Sequence, residues 1–90
     1  MFLRITSDDE LIQAALHGKT VFVEASNSDR RQVCFERIRA SLAMLGYKKP
    51  ILRAYPNEIE LPSGGRIVFK VFAKDTRWMC GIKWDGGMFI

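Results

Sequence analysis

The sequence predicts an α/β fold: a single small domain with a β-α-β-α-β core, followed by a β-hairpin and C-terminal strand(s), in a mixed sheet with two helices. Three observations predict it. Short β-branched and aromatic runs alternate with helix-patterned segments over residues 2–55, which implies a parallel core with right-handed crossovers. Two alternating runs, residues 58–61 and 66–72, flank Pro62-Ser63-Gly64-Gly65, the pattern of a hairpin whose strands join one edge of the sheet. The chain has 90 residues, room for one core and no more, so residues 1–90 read as one domain.

Residues 2–5, Phe-Leu-Arg-Ile, read as a short first strand. Thr6-Ser7 then opens a helix. Ser7 with Glu10 three positions on fits a capping box, and Asp8, Asp9 and Glu10 suit the positive end of the helix dipole. Leu11, Ile12, Ala15 and Leu16 share one helix face. His17 falls in the last turn and Gly18 is a natural C-terminal cap, so His17 reads as a helix-end residue, with no catalytic partner in view.

Gly18-Lys19-Thr20 matches the tail of a phosphate-binding loop. That loop needs a glycine where Gln13 stands, and it runs from strand to helix so that backbone N–H groups and the helix N-terminus face the phosphates. Here a helix leads in and a strand leads out. The tripeptide is read as a helix stop and a strand start.

Thr20–Ala25 is nearly continuous in apolar character, like a buried central strand. Residues 26–29, Ser-Asn-Ser-Asp, form a capping sequence. A long helix follows to about Leu45, with Phe35, Ile38, Leu42 and Leu45 on a core stripe and Cys34 beside it. Arg30, Glu36 and Arg37 turn elsewhere, flanked by Arg31 and Arg39. Gly46 ends the helix. Residues 51–55 can form a strand, and Pro56-Asn57 a bend.

In the hairpin, pairing Leu61 with Ile67 and Ile59 with Phe69 puts the apolar side chains on one face and sets Glu58 opposite Lys70. The other face of the second strand reads Arg66, Val68, Lys70, Phe72, Lys74, basic alternating with apolar. Residues 74–77 form a polar loop. Trp78 and Trp84 follow among basic residues. The apolar end, residues 86–90, suggests a docked last strand.

Hydrophobic residues make up 48% and charged residues 27%, an ordinary globular composition. No apolar run approaches the roughly 18–20 residues of a membrane span, and the N-terminus lacks the basic-then-apolar order of a signal peptide. A cytoplasmic protein without a membrane partner is expected. Cys34 and Cys80 form no Cys-x-x-Cys pair and His17 is the sole histidine. They make no metal-ligand cluster, no cofactor is expected, and both cysteines read as small buried hydrophobes. Net charge is +4, unevenly spread. Residues 1–27 hold two basic residues against four acids, and residues 28–90 hold twelve against six. A basic lobe favours a polyanionic partner.

Residues 21–32, Val-Phe-Val-Glu-Ala-Ser-Asn-Ser-Asp-Arg-Arg-Gln, together with the helix over 33–45, resemble the second strand and helix of the ATPase domains of phage large terminases and related helicases. Residues 57–69, with Leu61-Pro62-Ser63-Gly64-Gly65-Arg66-Ile67, are similar to the next segment of those domains, where the pattern apolar-Pro-x-Gly-x-Arg-Ile is common. Residues 77–81 and 85–90 resemble the arginine-glycine loop and the apolar strand before the Walker B acids. The resemblance departs from the family where the chemistry lies. No Walker A loop precedes the strand at Val21, and the sequence stops at Ile90, where the Asp-Glu pair would follow. Phosphoryl transfer needs a phosphate cradle and a metal. No ATPase residue carries over, and the resemblance implies a non-catalytic relative that keeps a nucleic-acid or docking surface.

The sequence therefore points to binding rather than catalysis. Asp8, Asp9 and Glu10 belong to a helix start. Glu58 and Glu60 alternate on a strand face read as exposed, and no nucleophile–base pattern is present. The expected surface is the basic and aromatic face of the C-terminal hairpin region: Arg66, Lys70, Lys74, Arg77, Trp78, Lys83 and Trp84. Basic side chains would neutralise phosphates and the tryptophans would stack on unpaired bases. The alternative is a protein-interaction module, such as a small phage or mobile-element protein that docks on a host factor or self-associates through a sheet edge.

Overall fold

The computed structural model describes residues 2–47, 51–53, 58–71 and 83–90, and it shows a compact α/β domain. The elements run β1 (Leu3–Arg4), α1 (Asp8–Leu16), β2 (Thr20–Ala25), α2 (Ser28–Met44), β3 (Ile51–Arg53), β4 (Glu58–Glu60), β5 (Arg66–Val71) and β6 (Gly86–Phe89). One mixed sheet has the order β1-β6-β2-β5-β4-β3. The strands β1, β6, β2 and β5 are parallel, and the antiparallel pairs β5/β4 and β4/β3 complete one edge. The order of elements, the hairpin and the docked last strand are as the sequence predicts, but the pairing differs: β3 is antiparallel to β4 at the outer edge rather than the third strand of the parallel core, and β5 of the hairpin takes the place parallel to β2.

Both helices pack on one face of the sheet. Leu11, Ile12, Ala14 and Ala15 of α1 and Cys34, Phe35, Ile38 and Leu42 of α2 join Val21, Val23, Ile59, Ile67, Phe69 and Met88 in a single core. Phe35 meets Phe69 edge-on at 5.2 Å. The start of α1 is capped as its sequence implies: Ser7 Oγ accepts from the Glu10 N–H at 3.3 Å. Asn27 does the same for α2, accepting from the Arg30 N–H at 2.9 Å. At the end of α1, Gly18 takes φ +83° and the Lys19 N–H returns to the Ala14 carbonyl. Gly18-Lys19-Thr20 is thus the turn out of a helix into β2, and His17 is the C-cap.

Three further expectations need correction. Strand β1 covers only Leu3–Arg4. Leu45 does not join the core: α2 stops at Met44, Gly46 turns the chain at φ +98°, and Tyr47, whose N–H donates to the Leu42 carbonyl, packs on the core instead. The hairpin register is two residues tighter than expected, with Ile59 opposite Ile67 and Glu58 opposite Val68. The reason is the turn. The Leu61 N–H donates to the Gly65 carbonyl, and Gly64 adopts φ +88°, so only three residues lie outside the ladder. A two-residue shift keeps every side chain on its face. The turn itself is pinned to α1. Ser63 Oγ donates to the Ala15 carbonyl at 2.9 Å, and a Cβ on Gly65 would lie 1.8 Å from that carbonyl oxygen.

Candidate functional site

The sheet face away from the helices carries the side chains that alternate with the core positions. Register places Arg4, Gly87, Phe22, Val68 and Glu58 in one row across it. Phe89, Glu24 and Lys70 form the row toward the strands' C-terminal ends, and Thr20, Arg66 and Glu60 the row toward the N-terminal end of β2. The face divides into a charged half on β2, β5 and β4 and an aromatic half on β1, β6 and β2.

In the charged half, Lys70 Nζ donates to Glu24 Oε1 at 2.7 Å, with Lys70 6% and Glu24 9% exposed. The two residues are direct register partners on neighbouring parallel strands. Arg66 is half-buried and donates to the carboxylate of buried Glu58. These pairings overturn three expectations. Glu58 partners Arg66 rather than Lys70, because the register is tighter. Lys70 does not stand on an open basic face, because burial requires that its charge be answered, and Glu24 answers it. Glu58, likewise, is buried rather than exposed.

In the aromatic half, three rings surround Phe22. Its centroid lies 5.9 Å from Phe2, 5.2 Å from Trp84 and 5.7 Å from Phe89, the last two edge-on. Edge-to-face contact of this kind is favoured by the ring quadrupole. Phe22 is 5% exposed, while Phe2 and Phe89 are 52% and 62% exposed. Arg4 is exposed in the same row as Phe22, and Lys83, next to Trp84 in the chain, is exposed. Asp85 ties this end together: its carboxylate accepts from the Thr20 N–H at 2.8 Å, and its carbonyl accepts from the Leu3 N–H.

Of the expected binding residues, the structure packs half-buried Trp84 against Phe22, leaves Lys83 exposed next to it in the chain, and commits Arg66 and Lys70 to carboxylates. Lys74, Arg77 and Trp78 lie outside the described residues, as do Phe72 and Cys80. Sequence reasoning missed Phe2, Arg4 and Phe89, which it assigned only to strands. Their signal was present in the alternation: Phe2 and Arg4 share one face of a strand whose Ile5 is core.

Elsewhere, Asp29, Arg30, Val33, Arg37 and Ile90 line a pocket of about 300 Å³ beside the start of α2. Arg37 there is held by Asp8, with Nε 2.5 Å from Oδ2, which keeps its guanidinium above its ordinary range. Cys34 is buried, and burial pushes its thiol up, with Arg37 opposing and Asp8 adding. A buried, raised thiol is a packing residue rather than a nucleophile. Among the described residues, no helix is long and apolar enough to cross a membrane. No known protein family, curated protein or solved structure matches the chain.

Proposed function

We propose that the protein is a non-catalytic binding module for nucleic acid, and that its contact surface is the aromatic half of the sheet face opposite α1 and α2. One observation carries this reading: exposed Phe2 and Phe89 rings packed around a buried Phe22, with exposed Arg4 in the same row and exposed Lys83 next to Trp84 in the chain. Exposed rings stack on unpaired bases at roughly 1–3 kcal/mol per base, and adjacent cations neutralise the backbone. Glu24 and Glu58 are already tied to cations, so neither is a ready acid or base. The resemblance to terminase-type ATPase domains agrees with a nucleic-acid partner and supplies no catalytic residue. Lys74, Arg77 and Trp78 stay in the proposed surface on sequence grounds.

The test is fluorescence anisotropy of labelled single-stranded DNA, RNA and duplex DNA across a range of salt. Each phosphate neutralised on a single strand contributes about −0.7 to the slope of log affinity against log salt. Arg4 and Lys83 acting together predict a slope of about −1.4, and the addition of Lys74 and Arg77 about −2.8. Absence of binding at low salt would sink the reading. A protein partner is the second reading, favoured by the outer edge of β1. Among the described residues that strand pairs on one side only, with β6, and Leu3 is exposed there. Strand addition at this edge would show binding that salt leaves unchanged.

A further inference from the structure

Building on the nucleic-acid reading, we infer that Gly87 and Phe22 form a fixed spacer between the Phe2 and Phe89 rings, which makes the patch a reader of about two to four unpaired nucleotides. At Gly87, β6 presents bare backbone, and the ring of Phe22 from the adjacent strand lies across it. A Cβ on Gly87 would stand 2.3, 2.5 and 2.6 Å from three atoms of that ring. Glycine is therefore what admits the ring to this position. On its other side, Lys70 Nζ stands 5.2 Å from the ring centroid, a cation–π contact fixed in place by Glu24.

Buried Phe22 offers little to a ligand, but it sets the distance between its two exposed neighbours. The ring separations of 5.9 and 5.7 Å keep Phe2 and Phe89 no more than about 12 Å apart. Stacked bases rise about 3.4 Å per nucleotide, so a strand reaches from one ring to the other in roughly three steps, and in fewer when it is extended. Sheet surfaces that present aromatic rings bind two or three splayed bases by the same geometry. The ligand class follows. A duplex keeps its base faces covered, whereas an unpaired strand exposes them. Arg4, level with Gly87 in the ladder, lies between the two ring positions, where a bridging phosphate would pass.

The experiment is anisotropy with labelled oligothymidylates of two, four and eight nucleotides and a blunt duplex, on the wild type and on variants. Affinity should rise steeply up to about four nucleotides and slowly beyond, with the duplex at least tenfold weaker. Phe2→Ala and Phe89→Ala should each weaken binding roughly 5- to 150-fold. Gly87→Ala should weaken it about tenfold by driving the Phe22 ring out of place. Because that methyl also strains the sheet, Gly87→Ala/Phe22→Leu is the control: it relieves the clash but lacks the ring. Its melting temperature should return toward the wild type while binding stays weak. Recovery of binding together with stability would overturn the inference. So would wild-type binding that is indifferent to oligonucleotide length or to Gly87→Ala, and either result leaves the nucleic-acid reading standing. A wild type that binds none of the strands overturns both.

Discussion

Val21, Val23, Ile67 and Phe69 point toward the helices, while Phe22, Glu24, Val68 and Lys70, alternating with them along the same two strands, point the other way. Both sets are buried. The first set is wholly apolar and is held by area removed from water and by close packing. The second holds a carboxylate and an ammonium at neighbouring register positions, so its burial is tolerated only as a pair. The difference teaches that burial alone does not fix how a face responds to change. The helix side should lose stability side chain by side chain, whereas the other side should lose it when one partner of a pair is removed and keep it when both are.

The sharpest test of that contrast is a double-mutant cycle on Lys70 and Glu24, read by urea unfolding. Lys70→Met alone leaves a buried carboxylate without its cation and should cost about 3–5 kcal/mol. Lys70→Met/Glu24→Met should be near neutral or more stable than the wild type. On the helix side, Phe69→Ala should cost a similar ~3–5 kcal/mol, but with no second substitution that restores it. Additive losses at Lys70 and Glu24 would erase the distinction between the faces.

Next in size is the seam where the hairpin turn meets α1. Gly65→Ala places a methyl against the Ala15 carbonyl and should cost about 1–3 kcal/mol by the same unfolding measurement. A neutral result would mean that the turn does not rest on the helix. The helix side should also respond to alkali through Cys34. Below its unfolded pKa of roughly 8.5 the thiol is neutral in both states. Above that value the unfolded chain ionises while the buried thiol, pushed up by desolvation, stays neutral. Stability should therefore fall as pH rises past this point, by at most about 1.4 kcal/mol per pH unit from this group. Cys34→Ala should remove that part of the slope. The smallest effect belongs to the cap of α2: Asn27→Ala should cost about 1 kcal/mol in thermal or urea unfolding.

The architecture was legible because its signals are local. Ser7 and Asn27 cap, Gly18 and Gly46 stop, and the apolar periods of α1 and α2 select their inner faces. The hairpin register was less so, since it depends on Gly64 adopting a positive φ within a three-residue turn rather than on the apolar pattern, which a two-residue slip leaves intact. The candidate surface was the least legible. Lys70 looks solvent-facing when β5 is read as half of a hairpin, but β2 lies on its other side and brings Glu24. A glutamate inside the otherwise apolar run of β2 was the available clue, because a buried acid calls for a cation on an adjacent strand. Phe2 and Phe89 lie far apart in sequence and flank the same Phe22 ring only because β6 enters the sheet between β1 and β2.

That entry has a consequence for how the chain is made. Strands β1 and β2 are complete once about 25 residues exist, yet they never pair with each other: β6, residues 86–89, lies between them. At a synthesis rate of roughly 5–20 residues per second, the gap in the sheet stays open for about 3–12 s. During that interval the edge of β2 that β6 will occupy is open to any other extended segment. The emerging polypeptide should therefore depend on holding factors in the cell more than its small size suggests.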